Sequence, residues 1–302
     1  MDLKQTCDAI KELKIQGAEN VATAALKALE DTLRRSKAKN KLGLLREMEA
    51  AKTKLFATRP TEPQMRNYVE SAIHFLKTFP EQDVQAARHA TAENIKRKLK
   101  EKQEWKERLV DIGSILLLKV IRQKKLIIYT HCHSGSVTAI IRKASKKKRI
   151  EVHNTETRPL YQGRLTAKEL AKARISVQHY VDSSVIEAMK EANLIMIGAD
   201  AVTFDGVYNK VGSEMVALLA KQYHVPLYVC TSVWKFDPHH EVIEQRKASE
   251  VWEHPPKGVK IQNPAFEKIP LKLIKRFVCE EGILKPKRFI KKARGRLKHT
   301  KF

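Results

Sequence analysis

The sequence predicts an α/β protein: an N-terminal all-helical domain over residues 1–112, then a Rossmann-like domain over residues 113–302 with a mostly parallel sheet. Three observations predict it. Up to about Gly113, apolar residues recur at helical spacing throughout. From about Asp111, short apolar β-rich runs alternate with helical ones, the signature of a parallel sheet covered on both faces. No GxGxxG is present, so a dinucleotide is not the ligand this Rossmann-like half points to.

In the first half, Ile10 and Leu13 mark one helix, Val21 to Leu33 a second, and Leu42, Leu45 and Met48 a third. Gly17-Ala18 separates the first two. Thr58-Arg59-Pro60-Thr61 separates the third from a fourth that includes Val69, Ile73 and Leu76. Pro60 fits the start of that fourth helix and Arg59 the position before it. Thr91 to Leu109 reads as one long, highly charged helix with a solvated face. In the second half the expected strands are Leu126–Thr130, Ile150–Asn154, Val177–Val181, Leu194–Ile197, Leu227–Thr231 and Val259–Ile261. The helices between them run about Val137–Lys146, Ala167–Ala173, Ser184–Glu191 and Ser213–Tyr223. There is no internal repeat and no Pro/Gly/Ser linker.

Composition narrows the function classes. The 302 residues are 42% hydrophobic and 31% charged. No apolar run approaches the roughly 18–20 residues that cross a bilayer, and the N-terminus lacks the apolar core of a signal peptide. A cytoplasmic protein with no membrane partner is the expectation. Cys7, Cys132, Cys230 and Cys279 form no CxxC, so neither a disulfide framework nor a zinc site is indicated. The net charge of +25 fits an anionic partner, or a solvated lysine-rich surface. The lysines are spread widely, but a basic C-terminal tail stands out over about 285–302. From Lys285 to Lys301 there are nine Lys/Arg and no acid, suited to RNA or anionic lipid, or simply a frayed end.

The chemistry-bearing residues sit at expected strand ends. The turn Tyr129-Thr-His-Cys-His-Ser-Gly-Ser136 holds a thiol, two imidazoles, hydroxyls and a glycine. A lone cysteine is ordinarily a core residue. Here His131, His133 and Ser134 flank Cys132, which argues for a thiol with lowered pKa at a helix N-terminus, a base or nucleophile. Ser134 and Gly135 can present a hydroxyl and backbone N–H groups to a phosphate. After the next strand, Arg158 precedes Pro159 and is held extended, either as a charge in a cleft or as a surface arginine. Gln162-Gly163 reads as ordinary turn chemistry. Asp200, after Leu194–Ile197, is a general acid/base candidate. The Phe204-Asp205-Gly206 turn that follows leaves it free of a turn role. Asn209, Lys210 and the Gly-Ser before the next helix form an anion cradle, and Lys235 adds charge past Leu227–Thr231. Their convergence on one sheet edge is stronger than any single member.

These residues resemble the family of the alpha, beta and delta subunits of translation initiation factor two-B. The resemblance spans nearly the whole chain. It is carried by Ile15-Gln-Gly-Ala18, Thr58-Arg-Pro60, Thr130-His-Cys-His-Ser134, Thr155-Glu-Thr-Arg-Pro159, Gly198-Ala-Asp200, Asn209-Lys210, Lys235-Phe236 and Asn263-Pro-Ala-Phe266. Within the family the set is most similar to the archaeal isomerase branch. That implies an aldose–ketose isomerase, ribose 1,5-bisphosphate to ribulose 1,5-bisphosphate, with Cys132 and Asp200 as its catalytic pair. Gly17, Ala18, Arg59, Ser134, Gly135, Asn209, Lys210 and Lys235 would be its substrate contacts. No metal or organic cofactor is required. A homo-oligomer, dimer or hexamer, is implied.

Four features depart from the branch: Gln16 where it has Arg, Ser232 where it has an acid, Phe236-Asp237-Pro238 in place of Phe-His-Pro, and the basic tail. The rival reading is a non-catalytic regulatory subunit that senses a nucleotide or sugar phosphate and binds a translation factor. A third is nucleic-acid contact through the tail.

Overall fold

The computed structural model describes residues 1–119, 125–239 and 244–297. The chain divides into two units: residues 1–105, 234–237 and 293–302, and residues 106–233 and 238–292. The end of the basic tail, 298–302, lies outside the described residues.

The first unit is helical. It contains α1 (Leu3–Lys11), α2 (Ala18–Arg35), α3 (Lys41–Phe56), α4 (Pro63–Thr78) and α5 (Val84–Lys119) up to Trp105. Asp2 and Gln5 form a capping box on α1, which satisfies two otherwise orphaned N–H groups. Val21, Ala25, Leu26, Leu29 and Leu33 of α2 are fully buried, as their 3.6-residue spacing predicts. They meet Leu44, Met48 and Leu55 of α3 and Tyr68, Val69 and Leu76 of α4 in one core. The fourth helix starts at Pro63, not Pro60. Both prolines fit a first helical turn, but the Glu62 N–H donates to the Arg59 carbonyl at 3.2 Å, and Pro60 serves the turn this bond closes. The expected domain boundary at 112/113 falls inside α5.

The second unit is built on a seven-stranded sheet. In chain order its elements are β1 (Lys125–Thr130), α6 (Gly135–Ser145), β2 (Arg149–Thr155), α7 (Gln162–Lys172), β3 (Ser176–Tyr180), α8 (Val185–Met189), β4 (Leu194–Ile197), β5 (Ala201–Val202), β6 (Gly206–Lys210), α9 (Ser213–Gln222), β7 (Leu227–Cys230), β8 (Phe266–Pro270), β9 (Arg276–Cys279), β10 (Gly282–Leu284) and α10 (Pro286–Arg296), which counts with the first unit from Ala293 on. Strand order is β10-β9-β7-β4-β1-β2-β3, and every pair is parallel except β9–β10. The expected α/β class with a mostly parallel sheet is what the chain adopts. Strands β5, β6 and β8 form a separate antiparallel sheet.

Chain order reverses between β1 and β4. From β1 the sheet grows through β2 and β3 on one side and through β4 and β7 on the other. In open α/β sheets a crevice opens at such a point, beyond the carboxyl ends of the strands. Cys132 follows β1 and Asp200 follows β4. The topology therefore sets these two residues at the one place where the fold itself makes room for a ligand.

Val259–Ile261, expected as a strand, forms no regular element. Gly258 has a left-handed φ of +94°, the Val259 N–H turns back to the Pro256 carbonyl at 3.2 Å, and Val259 is 45% exposed. The partner of β6 is β8 instead. Gly163 is the tightest packing constraint in the sheet unit. A Cβ there would lie 1.8 Å from the Thr155 carbonyl oxygen. Gly163→Ala should destabilise the protein by about 3 kcal/mol or more, since backbone rather than a side chain must give way. Chemical denaturation would measure it, and an unchanged midpoint would contradict the packing described.

Candidate active site

Strand β1 ends in Thr130-His131-Cys132, and each residue after it is fixed by a neighbouring strand end. His131 is buried. Its Nε2 lies 2.8 Å from the Val211 carbonyl, which can only accept, so Nε2 carries the proton and Nδ1 faces the Thr155 hydroxyl at 3.3 Å. Burial lowers the His131 pKa, opposed by the bond to Val211, and the ring stays neutral. Gly212 crosses directly over this ring. Its φ is +97°, and a Cβ would come within 2.9 Å of Nε2. Glycine is required on both counts.

Cys132 has a φ of 65°, in the left-handed region that non-glycine residues rarely occupy. Both of its backbone polar groups are held. The N–H donates to the Thr157 hydroxyl at 3.1 Å, and the carbonyl accepts from the Thr166 hydroxyl at 2.8 Å. Thr157 is itself left-handed, at φ 60°. Its N–H and that of Arg158 donate to the two Asp182 carboxylate oxygens at 2.9 and 2.7 Å. A β-branched residue at positive φ is strained, and such strain persists only where surrounding bonds over-determine it.

Burial pushes the Cys132 thiol up to about 11, against the lowering that its place near a helix start suggests. Lys210 is the strongest opposing influence, followed by the His133 N–H, while Asp200 and Asp182 push the same way as burial. Thiol, ammonium and carboxylate are thus electrostatically coupled in one site. Lys210, 8% exposed, also lies 6.0 Å from the Phe266 ring centre. Its carbonyl accepts from the Ser213 hydroxyl at 2.6 Å, and Ser213 in turn accepts from the Asn209 amide at 2.8 Å. That chain locks the turn between β6 and α9 on which Lys210 sits.

The Asp200 N–H donates to the Tyr208 carbonyl at 2.8 Å, tying the residue after β4 to β6. Ser134 is the N-cap of α6, and Gly135 is its first residue. Gly198 approaches this cap so closely that a Cβ would meet Ser134 Oγ at 2.9 Å. The start of α6 and the end of β4 are therefore adjacent. Gly135 is exposed and places no side chain over the start of α6, where Ser134 Oγ accepts from the Val137 N–H at 3.5 Å.

Cys132, Ser134, Gly135, Asp200, Asn209 and Lys210 thus all belong to the second unit, at or beside its strand ends. Gly17, Ala18, Arg59 and Lys235 belong to the first. There, Gly17 is the α2 N-cap with φ 81°, and Ala18 is buried as its first residue. Arg59 Nη1 lies 3.6 Å from Glu62 Oε2, both side chains being buried. Lys235 ends the short turn Val233–Lys235. The Arg158 guanidinium donates to the Tyr161 hydroxyl and the Val251 carbonyl, a structural turn arginine. Sequence reasoning missed Thr157, Thr166 and Asp182, which hold Cys132 in place. The Thr155-Glu-Thr-Arg motif contained the first of them. Nothing local marks the other two.

The fold and site define an α/β protein with a buried thiol and a carboxylate at the switch point of its sheet. The chain belongs to the Initiation factor 2 subunit family, which matches residues 14–286. It is 32% identical to the ribose 1,5-bisphosphate isomerase of Thermococcus kodakarensis, over 94% of this chain and 91% of that one. Its identity to the methylthioribose-1-phosphate isomerase of Desulforamulus reducens is also 32%, over 92% and 86%. Among solved structures, the translation initiation factor eIF-2B of Pyrococcus horikoshii superposes with a TM-score of 0.78 at 25% identity, covering 95% of this chain and 98% of that one. With its curated isomerase relatives, the chain is an enzyme of the isomerase class.

The four cysteines differ enough for a chemical test. Cys7, Cys230 and Cys279 are buried, whereas Cys132 keeps partial exposure. Below a thiol pKa of about 11, the thiolate fraction rises about tenfold per pH unit. Iodoacetamide labelling of Cys132, followed by peptide mass spectrometry, should accelerate accordingly between pH 7 and 10. Lys210→Met removes the main influence favouring thiolate and should slow labelling at every pH in that range. A rate already saturated at pH 7 would contradict the burial argument.

Proposed function

We propose that the protein interconverts an aldose phosphate and its ketose, ribose 1,5-bisphosphate to ribulose 1,5-bisphosphate, by proton transfer between Cys132, Asp200 and the sugar. The observation that carries this reading is the placement of a thiol and a carboxylate at the two strand ends flanking the switch point, with Lys210 acting on the thiol.

An aldose phosphorylated on C1 cannot open to a free aldehyde without losing that phosphate. In the proposed route Asp200 protonates the ring oxygen, and the ring C1–O bond breaks to leave cationic character on C1. Cys132, as thiolate, removes the C2 proton, and the C2–H electron pair forms the C1–C2 double bond of an enol phosphate. A proton added at C1 and loss of the C2 hydroxyl proton give the ketose. Each positioned proton transfer contributes about 10²–10⁴-fold. Lys210 lowers the cost of forming the thiolate. Ser134, Gly135 and Asn209 are the phosphate and sugar contacts of this unit, and Gly17, Ala18, Arg59 and Lys235 are further contacts by family resemblance.

Cys132→Ser and Asp200→Asn should each reduce turnover by about 10²-fold or more while leaving the circular dichroism spectrum unchanged. Production of ribulose 1,5-bisphosphate from ribose 1,5-bisphosphate is the readout. Full activity in Cys132→Ser would remove the scheme. No activity in the unaltered protein on this substrate or on methylthioribose 1-phosphate would favour a regulatory, ligand-sensing role. The eIF-2B name of the Pyrococcus horikoshii neighbour is what keeps that second reading in play.

A homo-oligomer is part of the proposal. A structure of the same fold from Chaetomium thermophilum, 20% identical, is a tetrameric eIF2B complex of beta and delta subunits. In this chain α8 and α9 lie side by side and expose Ile186, Met215 and Leu218, the last at 54%. Leu218→Glu should shift the mass measured by light scattering toward the monomer. An unaltered protein that is already monomeric would rule this part out.

A further inference from the structure

Helix α10 divides cleanly into two faces. Phe289, Ala293 and Leu297, spaced four residues apart, are buried. Phe289 stacks on Phe277 at 4.3 Å. The opposite stripe is exposed and carries Lys287, Arg288, Lys291, Lys292 and Arg294, with Lys285 just before the helix. No acid occurs from Lys285 to the end of the chain. Glu281 pairs with Lys292 at 3.4 Å, and the neighbouring Glu280 is buried. Along α5, by contrast, acids and bases are interspersed in ion pairs. Gly295 lies within the exposed stripe, with nothing near where a Cβ would be. A glycine inside a helix is disfavoured relative to alanine, and this one leaves the backbone open to close approach.

We infer that the exposed face of α10 is a docking surface for the phosphate backbone of double-stranded nucleic acid. Two observations select this partner. A helix that lies on a membrane needs an apolar face to insert, and the apolar face of α10 is already used inside the protein. Single-strand binders stack bases on aromatic side chains, and the exposed stripe has none, because Phe289 points inward. What remains is a row of cations at helical spacing, which contacts phosphates and reads no bases. This surface is independent of the proposed isomerase chemistry.

The test uses the full chain and fluorescence anisotropy with 20-base-pair RNA and DNA duplexes of arbitrary sequence, a single-stranded RNA of equal length, and vesicles containing phosphatidylserine. Contact with about four phosphates predicts affinity for a duplex that falls roughly 150-fold from 50 to 200 mM salt. The triple variant K287E/R288E/K291E should lose about tenfold or more in affinity, with a shallower salt slope and unchanged isomerase activity. All three side chains are exposed, so folding is preserved. A control, K4E/K27E/K77E, makes the same charge change at exposed lysines of the first unit and should bind as the parent does. Binding of either duplex supports the inference. It is overturned by no duplex binding at 50 mM salt, by equal losses in the two triple variants, or by tighter binding to vesicles or single strands than to duplex. Its failure would leave the isomerase assay untouched, and the reverse is also true.

Discussion

The backbone of Cys132 is gripped at both polar ends, its N–H by Thr157 and its carbonyl by Thr166, and the rest of the site depends on that grip. A left-handed φ at a non-glycine residue relaxes unless something holds it. Thr157 is two residues past the end of β2, and Thr166 lies on α7. The ends of β1 and β2 and helix α7 thus converge on one residue. Gly163 lets α7 come close enough to do this, since a Cβ would collide with Thr155. Asp182, after β3, fixes Thr157 in turn. The thiol is therefore aimed by groups that never touch it.

Two effects of opposite sign meet at that thiol. Desolvation favours the neutral form, and Lys210 favours the thiolate. Burial wins. That outcome suits a base that must not react with passing electrophiles, because a protonated buried thiol is a poor nucleophile. Asp200 and Lys210 act on it with opposite sign, so any change in the charge of either alters how readily Cys132 gives up its proton. Neutral His131, held by Val211, adds no charge of its own to this balance.

Much of this was legible in the sequence, and the unreadable part has a physical reason. Period and alternation located the helices up to α9 and strands β1 to β4 and β7, because burial of one helix face or of both strand faces writes itself into local composition; the short strands β5, β6, β8, β9 and β10 and helix α10 were not read. Leu194–Ile197 is found at the expected residues. Val259–Ile261 misled because a β-rich run is only a propensity, and Gly258 had already turned the chain. Cys132, Asp200 and Lys210 could be singled out by residue type and position at strand ends. The direction of the thiol pKa could not, since it depends on how many atoms surround the sulfur in three dimensions. Asp182 was equally hidden: its partners lie about 25 residues earlier, at another strand end.

The places where the chain departs from its family are repaired locally. Ser232 stands where the isomerase branch has an acid, and a carboxylate still arrives there. Glu280, at the end of β9, accepts the Ser232 hydroxyl at 2.7 Å and the Val233 N–H at 3.1 Å. Burial raises the Glu280 pKa and these two bonds oppose the rise, so the carboxyl is held by the groups it orders. Asp237 replaces a histidine and is ion-paired to Arg66, beside Asn67, which donates to the Trp234 and Phe236 carbonyls at 2.8 and 2.9 Å. Gln16 replaces an arginine, and its amide donates to the Leu13 carbonyl at 2.7 Å, just past the end of α1. In the first two cases an acidic side chain is bonded into the same stretch of chain. At Gln16 the resemblance implies a cation that this chain lacks, and the nearby Lys14 is engaged with Glu12 at 2.7 Å. Ser232 and Asp237 thus bear on how the chain is held on either side of Lys235.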